Sequence, residues 1–333
     1  MSAFPLFDRI WNDDWFQGVG QQRRYFEGWY LKMVSKDTRH IYAVIPGVAM
    51  GATPGDRHAF IQLIDGNTAQ TEYYRFPFEA FRYDKASFRV WIGENYFSAE
   101  EMRLAIPGEL EGHIFTHNLQ RYPKSLLAPG IMNRFRFAPF MECYHGVVSM
   151  DHGLSGSLWV KGVEKPMEQG RGYIEKDWGR SFPSAWVWMQ GNQFEVPGTS
   201  FMLSVANIPW IGYSFTGFLG FLHYPGGLER FGTYTGARIT RFEYGEKGVE
   251  IHLTNQGHTL EIDATRDHAG VLQAPTMGTM ERRISESVDA TLAIRLTDKD
   301  GKVLFEGKSR PSGLELVGEM AALKQKMKGL KVK

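Results

Sequence analysis

Along residues 249–264 apolar and polar side chains alternate with a period of two, and no other feature of this sequence restricts its fold so tightly. Val249, Ile251 and Leu253 alternate with Glu250, His252 and Thr254. Beyond Gln256-Gly257, His258, Leu260, Ile262 and Ala264 alternate with Thr259, Glu261 and Asp263. Successive strand residues face opposite ways, so the spacing predicts two half-buried strands joined by a tight turn. The pattern returns at Leu292, Ile294 and Leu296, where Asp300-Gly301 turns the chain into 303–306. Shorter strand-like segments recur at 39–48, 59–65, 112–117, 147–160, 200–207 and 238–244, punctuated by 37 glycines and 15 prolines. Short strands separated by turn signals predict sandwiches or barrels rather than βαβ units. Helical spacing is confined to 318–328, where Met320, Leu323 and Met327 recur and lysines fill the other side. Such a stretch reads as a solvated surface helix, or as a basic amphipathic helix able to lie on anionic lipid.

At 333 residues the chain can bury a large core and accommodates two domains, with a break expected at Glu195-Val196-Pro197-Gly198, giving 1–194 and 195–333. Charge is nearly balanced, 38 basic against 37 acidic residues, which argues against a nucleic-acid partner. A single cysteine, Cys143, excludes an internal disulfide and fits a reducing compartment. No basic region followed by an apolar run opens residues 1–15, and no apolar stretch is long enough to span a bilayer, so a cytoplasmic location with room for peripheral membrane contact is expected.

Acids and large aromatics concentrate at two places. One is Tyr173-Ile174-Glu175-Lys176-Asp177-Trp178-Gly179, running into Trp186-Val187-Trp188-Met189-Gln190; the other is Tyr25-Phe26-Glu27-Gly28-Trp29-Tyr30. As strands, these place Tyr173, Glu175 and Asp177 on one face and Ile174, Lys176 and Trp178 on the other. Likewise Trp186, Trp188, Gln190 and Asn192 share a face, and Glu27 shares one with Tyr25 and Trp29. Buried carboxylates are costly, so these motifs suggest an aromatic pocket carrying acids, or buried ion pairs with Arg24, Lys32, Lys176 or Arg180. His113 and His117 lack an evident third ligand, and no metal is expected. No Gly-x-Ser-x-Gly elbow, phosphate loop or dinucleotide fingerprint occurs.

These motifs, with Phe182-Pro183, Leu272-Gln273-Ala274-Pro275-Thr276 and a final strand at 313–318, resemble the tocopherol cyclase family in order and content. The Glu-Lys-Asp-Trp-Gly stretch is also similar to the Trp-Gly motif of carotenoid hydratase relatives. The resemblance implies an all-β chain of two lipocalin-like β-sandwich or β-barrel domains with a short C-terminal helix. It implies cofactor-free closure of a prenylated hydroquinone to a chromanol by alkene protonation and phenol attack. Glu27, Trp29, Tyr30, Glu175, Lys176, Trp178, Gly179, Trp186, Trp188 and Gln190 fall on matching motif positions. Plant-type members carry Asn where this chain has Asp177, which favours Glu175 or Glu27 as the acid. The expected catalytic set is thus Glu175, Glu27 and Asp177. The expected substrate-binding set is Trp29, Tyr30, Tyr173, Trp178, Trp186, Trp188, Gln190 and Asn192. A hydratase would use the same acid with water admitted, whereas a carrier of a hydrophobic ligand needs no acid in its cavity.

Overall fold

A computed structural model describes residues 5–210 and 213–328, and these form an almost entirely β protein. After the short helix α1 (Pro5–Trp11), the strands β1 (Tyr25–Val34), β2 (Ile41–Met50), β3 (His58–Asp65) and β4 (Thr71–Pro77) follow. Next come β5 (Phe81–Tyr83), β6 (Arg89–Ile92), β7 (Asn95–Ser98), β8 (Glu101–Ile106) and β9 (Leu110–Gln120). The long β10 (Cys143–Val160), β11 (Val163–Pro166) and β12 (Gly170–Gly179) complete the first sheet. The second comprises β13 (Trp186–Gly191), β14 (Ser200–Trp210), β15 (Tyr213–Tyr224), β16 (Gly227–Gly232) and β17 (Arg238–Tyr244), then β18 (Gly248–Asn255) and β19 (His258–Thr265). It ends with β20 (Gly270–Thr276), β21 (Thr279–Thr297), β22 (Val303–Val317) and the helix α2 (Met320–Lys328).

The chain divides into two compact units. The first holds Met1–Pro139, Cys143–Phe182 and the returning segment Leu272–Arg283; the second holds Phe140–Glu142, Pro183–Val271 and Ile284–Lys333. Glu195-Val196-Pro197-Gly198 lies within the second, between β13 and β14.

In the first unit the strand order is β4-β3-β2-β1-β12-β10-β9-β8-β7-β6-β5. Its two edges are consecutive in the chain, linked by one 3-10 turn at Phe78–Ala80, so the sheet curls into a nearly closed barrel. Trp29, Leu31, Val44, Ile61, Phe97, Leu104, Ile114, Leu158, Ile174 and Trp178 belong to its core. The returning segment packs on the opposite face. Gln62 exchanges two 3.0 Å hydrogen bonds with the Gln273 backbone, and Met280 joins Ala49 and Phe60 in a small apolar cluster. The Leu272–Thr276 motif therefore serves to complete the first unit.

The second unit repeats the closure. Its order is β16-β15-β14-β13-β22-β21-β19-β18-β17, and the edges β16 and β17 are joined by the 3-10 turn Thr233–Thr235. The predicted hairpin is β18–β19, with Val249 opposite Ala264, Ile251 opposite Ile262 and Leu253 opposite Leu260. Its turn residues Gln256 and Gly257 have φ of 44° and 97°, the left-handed pair a two-residue hairpin needs. In α2, Leu323 is buried against the barrel core, with Met320 and Met327 packed beside it, while Lys324 pairs with Glu243 at 2.6 Å. The apolar stripe of this helix is thus already covered. No helix among the described residues is long and apolar enough to cross a membrane.

Candidate active site

Strand β12 lies between β1 and β10, and register decides what each of its side chains meets. Glu27 stands opposite Trp178, Trp29 opposite Lys176 and Tyr30 opposite Glu175. Cross-strand partners share a face. Glu27, Trp29, Lys176 and Trp178 therefore point into the barrel, whereas Tyr30, Tyr173, Glu175 and Asp177 point out of it. The two sequence motifs are adjacent strands, but their glutamates project to opposite faces.

Inside, Glu27 is fully buried and pairs with the equally buried Lys176 at 2.5 Å. Its carboxylate also accepts the backbone N–H groups of Gln17 and Gly18, at 2.9 Å each, and the Tyr25 hydroxyl. The Lys176 ammonium donates to the Asp13 carbonyl at 2.9 Å and to that of Trp15. It lies 4.6 Å and 5.0 Å from the Trp29 and Trp178 ring centroids. Burial, the largest influence, depresses the Lys176 pKa, while Glu27 opposes it. This is a filled ion-pair site tying the segment 13–18 to the barrel. Trp29, stacked on Phe88 with centroids 5.3 Å apart, and Trp178, stacked on Tyr144 at 5.7 Å, are walls of that site and of the core. Both carboxylate oxygens of Glu27 accept from protein donors.

The outer face carries the reactive-looking cluster. Tyr173 donates its hydroxyl to Glu175 Oε2 at 2.7 Å. His145, opposite Asp177 on β10, places Nδ1 at 2.9 Å from Asp177 Oδ1 and Nε2 at 3.5 Å from Glu175 Oε2. Cys143, half-buried, has Sγ 3.8 Å from Asp177 Oδ1. Burial pulls the His145 pKa down, but Asp177 and Glu175, with the hydrogen bond to Asp177, outweigh it and raise it from 6.5 to about 9. Burial, then Glu175, pushes Tyr173 well above the usual phenol range. The result is an imidazolium bracketed by two carboxyl groups, with a neutral phenol on one of them. Tyr30 and Lys32 are buried on this face, opposite Glu175 and Tyr173. Among the described residues, His145, Glu175 and Asp177 are also the group whose ligand atoms, all within 4.8 Å, approach the spacing of a cation site. His113 and His117 instead contact Glu101 and Ser155, each at 2.6 Å.

In the second unit Trp186, Trp188 and Gln190 share the face of β13 that points away from the Val187–Met189 core side, and Asn192 follows them; all four are buried. Trp186 Nε1 donates to the Glu315 carboxylate. Trp188 lies over Gly313, where an added Cβ would fall 2.5 Å from the indole. Glu286 stands directly opposite Glu315, and both are buried. Arg266, bonded to the Ser285 and Leu314 carbonyls, is depressed by burial and raised again by these two acids.

Sequence reasoning missed Glu286, Glu315, Arg266 and the pairing of His145 with the acid motif. Glu286 left a signal, since it occupies the even-numbered series of Met280, Ile284 and Val288. His145 left none, because only the β10–β12 pairing brings it to Asp177.

Comparison with known proteins is consistent with this architecture. Maize (Zea mays) "Tocopherol cyclase, chloroplastic" is 30% identical over 197 residues, covering 54% of this chain and 40% of the maize protein. "Probable tocopherol cyclase, chloroplastic" of Oryza sativa subsp. japonica is 28% identical over 195 residues, with the same coverage. The matched region thus spans less than half the length of these curated relatives. Among solved structures, CghA with Sch210972 superposes with a TM-score of 0.53 at 13% identity, covering 88% of this chain and 89% of that one, a likeness of fold. The family model described as tocopherol cyclase-like matches residues 132–318, from the loop before His145 to the end of the β22 segment bearing Glu315, and the chain belongs to that family.

Proposed function

We propose that this chain is a cofactor-free cyclase that closes a prenylated hydroquinone to a chromanol, with Glu175 as the acid. The observation that carries the reading is the Tyr173–Glu175–His145–Asp177 cluster on one face of β12. In its neutral form Glu175 gives its proton to the alkene carbon that leaves the tertiary cation; the carboxyl O–H breaks and a C–H bond forms. The phenol oxygen of the same molecule then attacks the cation, a C–O bond forms, and the phenolic proton returns to Glu175. Atoms and charge balance without an added reagent. His145 supports the first step, because its cation lies 3.5 Å from the oxygen on which negative charge develops. Asp177 holds the imidazole by its other nitrogen and fixes its orientation.

A hydratase reading has one observation in its favour. The Asp177 side chain is 25% exposed, so water reaches one end of the cluster. The test is incubation of the protein with a prenylated benzoquinol under reducing, chelated conditions, followed by mass and chiral analysis. A single-handed chromanol of unchanged mass, absent with Glu175→Gln, is expected. A product heavier by one water would transfer the assignment to hydration. Tight binding of the quinol with no product would make the chain a carrier, and product from Glu175→Gln at the wild-type rate would remove Glu175 from the mechanism.

A further inference from the structure

On β1 the residue directly opposite Asp177 is Gly28, and the two share the outer face of the sheet. Of the ten residues of β1 only Gly28 is not buried, and of the ten of β2 only Ile45 is not. With the partly exposed Asp177 on β12 and His145 beside it on β10, they make a window in strands that are otherwise closed. Glycine weakens a strand, because it gives backbone freedom to the unfolded chain and offers no side chain to pack. At neighbouring positions the fold explains it. An added Cβ at Gly47 would fall 2.5 Å from the Glu27 carbonyl and 2.6 Å from the Phe60 ring, and one at Gly172 would fall 2.3 Å from His152. No such contact excludes a side chain at Gly28. Its φ is not left-handed, and an added Cβ would meet Ile45, Pro46 and Phe60 only at 3.6–3.8 Å, ordinary van der Waals distances. The fold would accept alanine here, yet the backbone is left bare beside Asp177.

The space above Gly28 has one apolar wall and one polar wall. Ile45 and Phe60 form the first, and Phe60 is fixed by stacking on Tyr73 at 5.4 Å and by its cluster with Ala49 and Met280. Asp177 forms the second. Its Oδ1 takes His145 at 2.9 Å and Cys143 at 3.8 Å, whereas no donor among the described residues reaches Oδ2. A flat ring bearing a hydroxyl suits both walls, since its face can lie on peptide planes that carry no Cβ and its O–H can donate to a carboxylate oxygen. We propose that Gly28 is the floor of the head-group slot, where a hydroquinone ring lies against the β1 backbone and donates one hydroxyl to Asp177 Oδ2. Glu175 stands two residues away on the same face of β12, about 7 Å along the strand, so the hydroxyl on the far side of the ring, the one that attacks, comes to the acid. This seat rests on the cyclase chemistry assigned to Glu175 and adds which part of the substrate lies where.

The test is equilibrium binding and turnover of a geranylated 1,4-benzoquinol, and of its methyl ether at the hydroxyl para to the attacking one, under reducing, chelated conditions. Gly28→Ala should weaken quinol binding about tenfold and Gly28→Val about 100-fold, because the added carbons take the place of the ring. The melting temperature of Gly28→Ala should equal or exceed that of wild type, since the strand has room for the methyl group. Methylating the para hydroxyl should weaken wild-type binding at least about tenfold, as loss of one hydrogen bond to a charged acceptor does. Asp177→Ala should bind the ether and the quinol alike. Gly28→Val that binds and converts the quinol at wild-type levels would overturn the slot and leave the cyclase reading intact. Wild-type binding that Gly28→Val abolishes, with no product from either protein, would instead defeat the cyclase reading and keep the slot. A wild type that binds no quinol, a Gly28→Ala that melts well below wild type, or an ether bound by wild type as tightly as the quinol would also overturn the proposal.

Discussion

Replacing Lys176 by Met tests whether the buried Glu27 is held by its ion pair. The substitution keeps an unbranched side chain between Trp29 and Trp178 but removes the cation 2.5 Å from Glu27. Glu27 then remains fully buried, with the N–H groups of Gln17 and Gly18 and the Tyr25 hydroxyl, but without the ammonium that pairs with it. Removing one partner of such a pair costs about 3–5 kcal/mol. Loss of the ammonium–indole contacts adds about 1 kcal/mol. The summed effect should lower the first unit's melting temperature by roughly 10 °C or more. Tryptophan fluorescence during urea unfolding reports it directly, since Trp29 and Trp178 flank the ammonium. The double variant Glu27→Gln/Lys176→Met should recover more than half of the loss, because an amide oxygen can still accept from Gln17 and Gly18 while its NH2 group donates to Tyr25. A Lys176→Met cost below about 1 kcal/mol would refute a fully desolvated pair. Glu27→Gln with unchanged stability and no turnover would refute the division of roles between Glu27 and Glu175.

The other expectations concern charge and space. His145 is raised from 6.5 to about 9, so its contribution to stability is complete below pH 6.5 and is lost as pH rises through about 9; the turnover rate should fall over the same alkaline limb. His145→Gln should remove that limb and lower the rate about 100-fold, as loss of one preorganised charge does, and a retained limb would exclude His145. His152, held to about 3 chiefly by burial and then by Arg171, contributes stability above pH 6.5 that drains away as pH falls towards 3; its ring proton shifts should stay those of a neutral imidazole until the acid transition. Gly313→Ala should cost about 1–3 kcal/mol, because its Cβ would fall 2.5 Å from the Trp188 indole, and a neutral effect would show that the indole is free to move aside.

Strand identity and local facing were legible in the sequence because both depend on neighbours one or two residues apart. The 249–264 hairpin pairs as its alternation predicts, and within β12 Tyr173, Glu175 and Asp177 do part from Ile174, Lys176 and Trp178. What the alternation cannot contain is the pairing of β1 with β12, elements separated by most of the first unit. Glu27-Gly28-Trp29 and Glu175-Lys176-Asp177-Trp178 look alike as strings. Their glutamates nonetheless end on opposite faces, because Glu27 stands opposite Trp178 and Glu175 opposite Tyr30. A shift of one residue in that pairing would have brought the acids together. The same long-range dependence hides His145, which reaches Asp177 only through β10, and hides the facing of Glu286 towards Glu315.

That register is itself held by charge. Lys176 sits between two acids in the sequence, and the barrel interior offers it one carboxylate, two backbone carbonyls and two indole faces. Turning the strand over would expel this cation and bury Glu175 and Asp177 among Leu31, Ile61 and Trp29. Two desolvated carboxyl groups would then join Glu27 in the interior without the ammonium that now pairs with it, at a heavy desolvation cost. The Glu27–Lys176 ion pair is therefore what obliges Glu175 and Asp177 to face outward, where His145 and Tyr173 meet them. Glu27 and Glu175 thus lie on two sides of one pleat, and the Lys176→Met and His145→Gln experiments probe each side in turn.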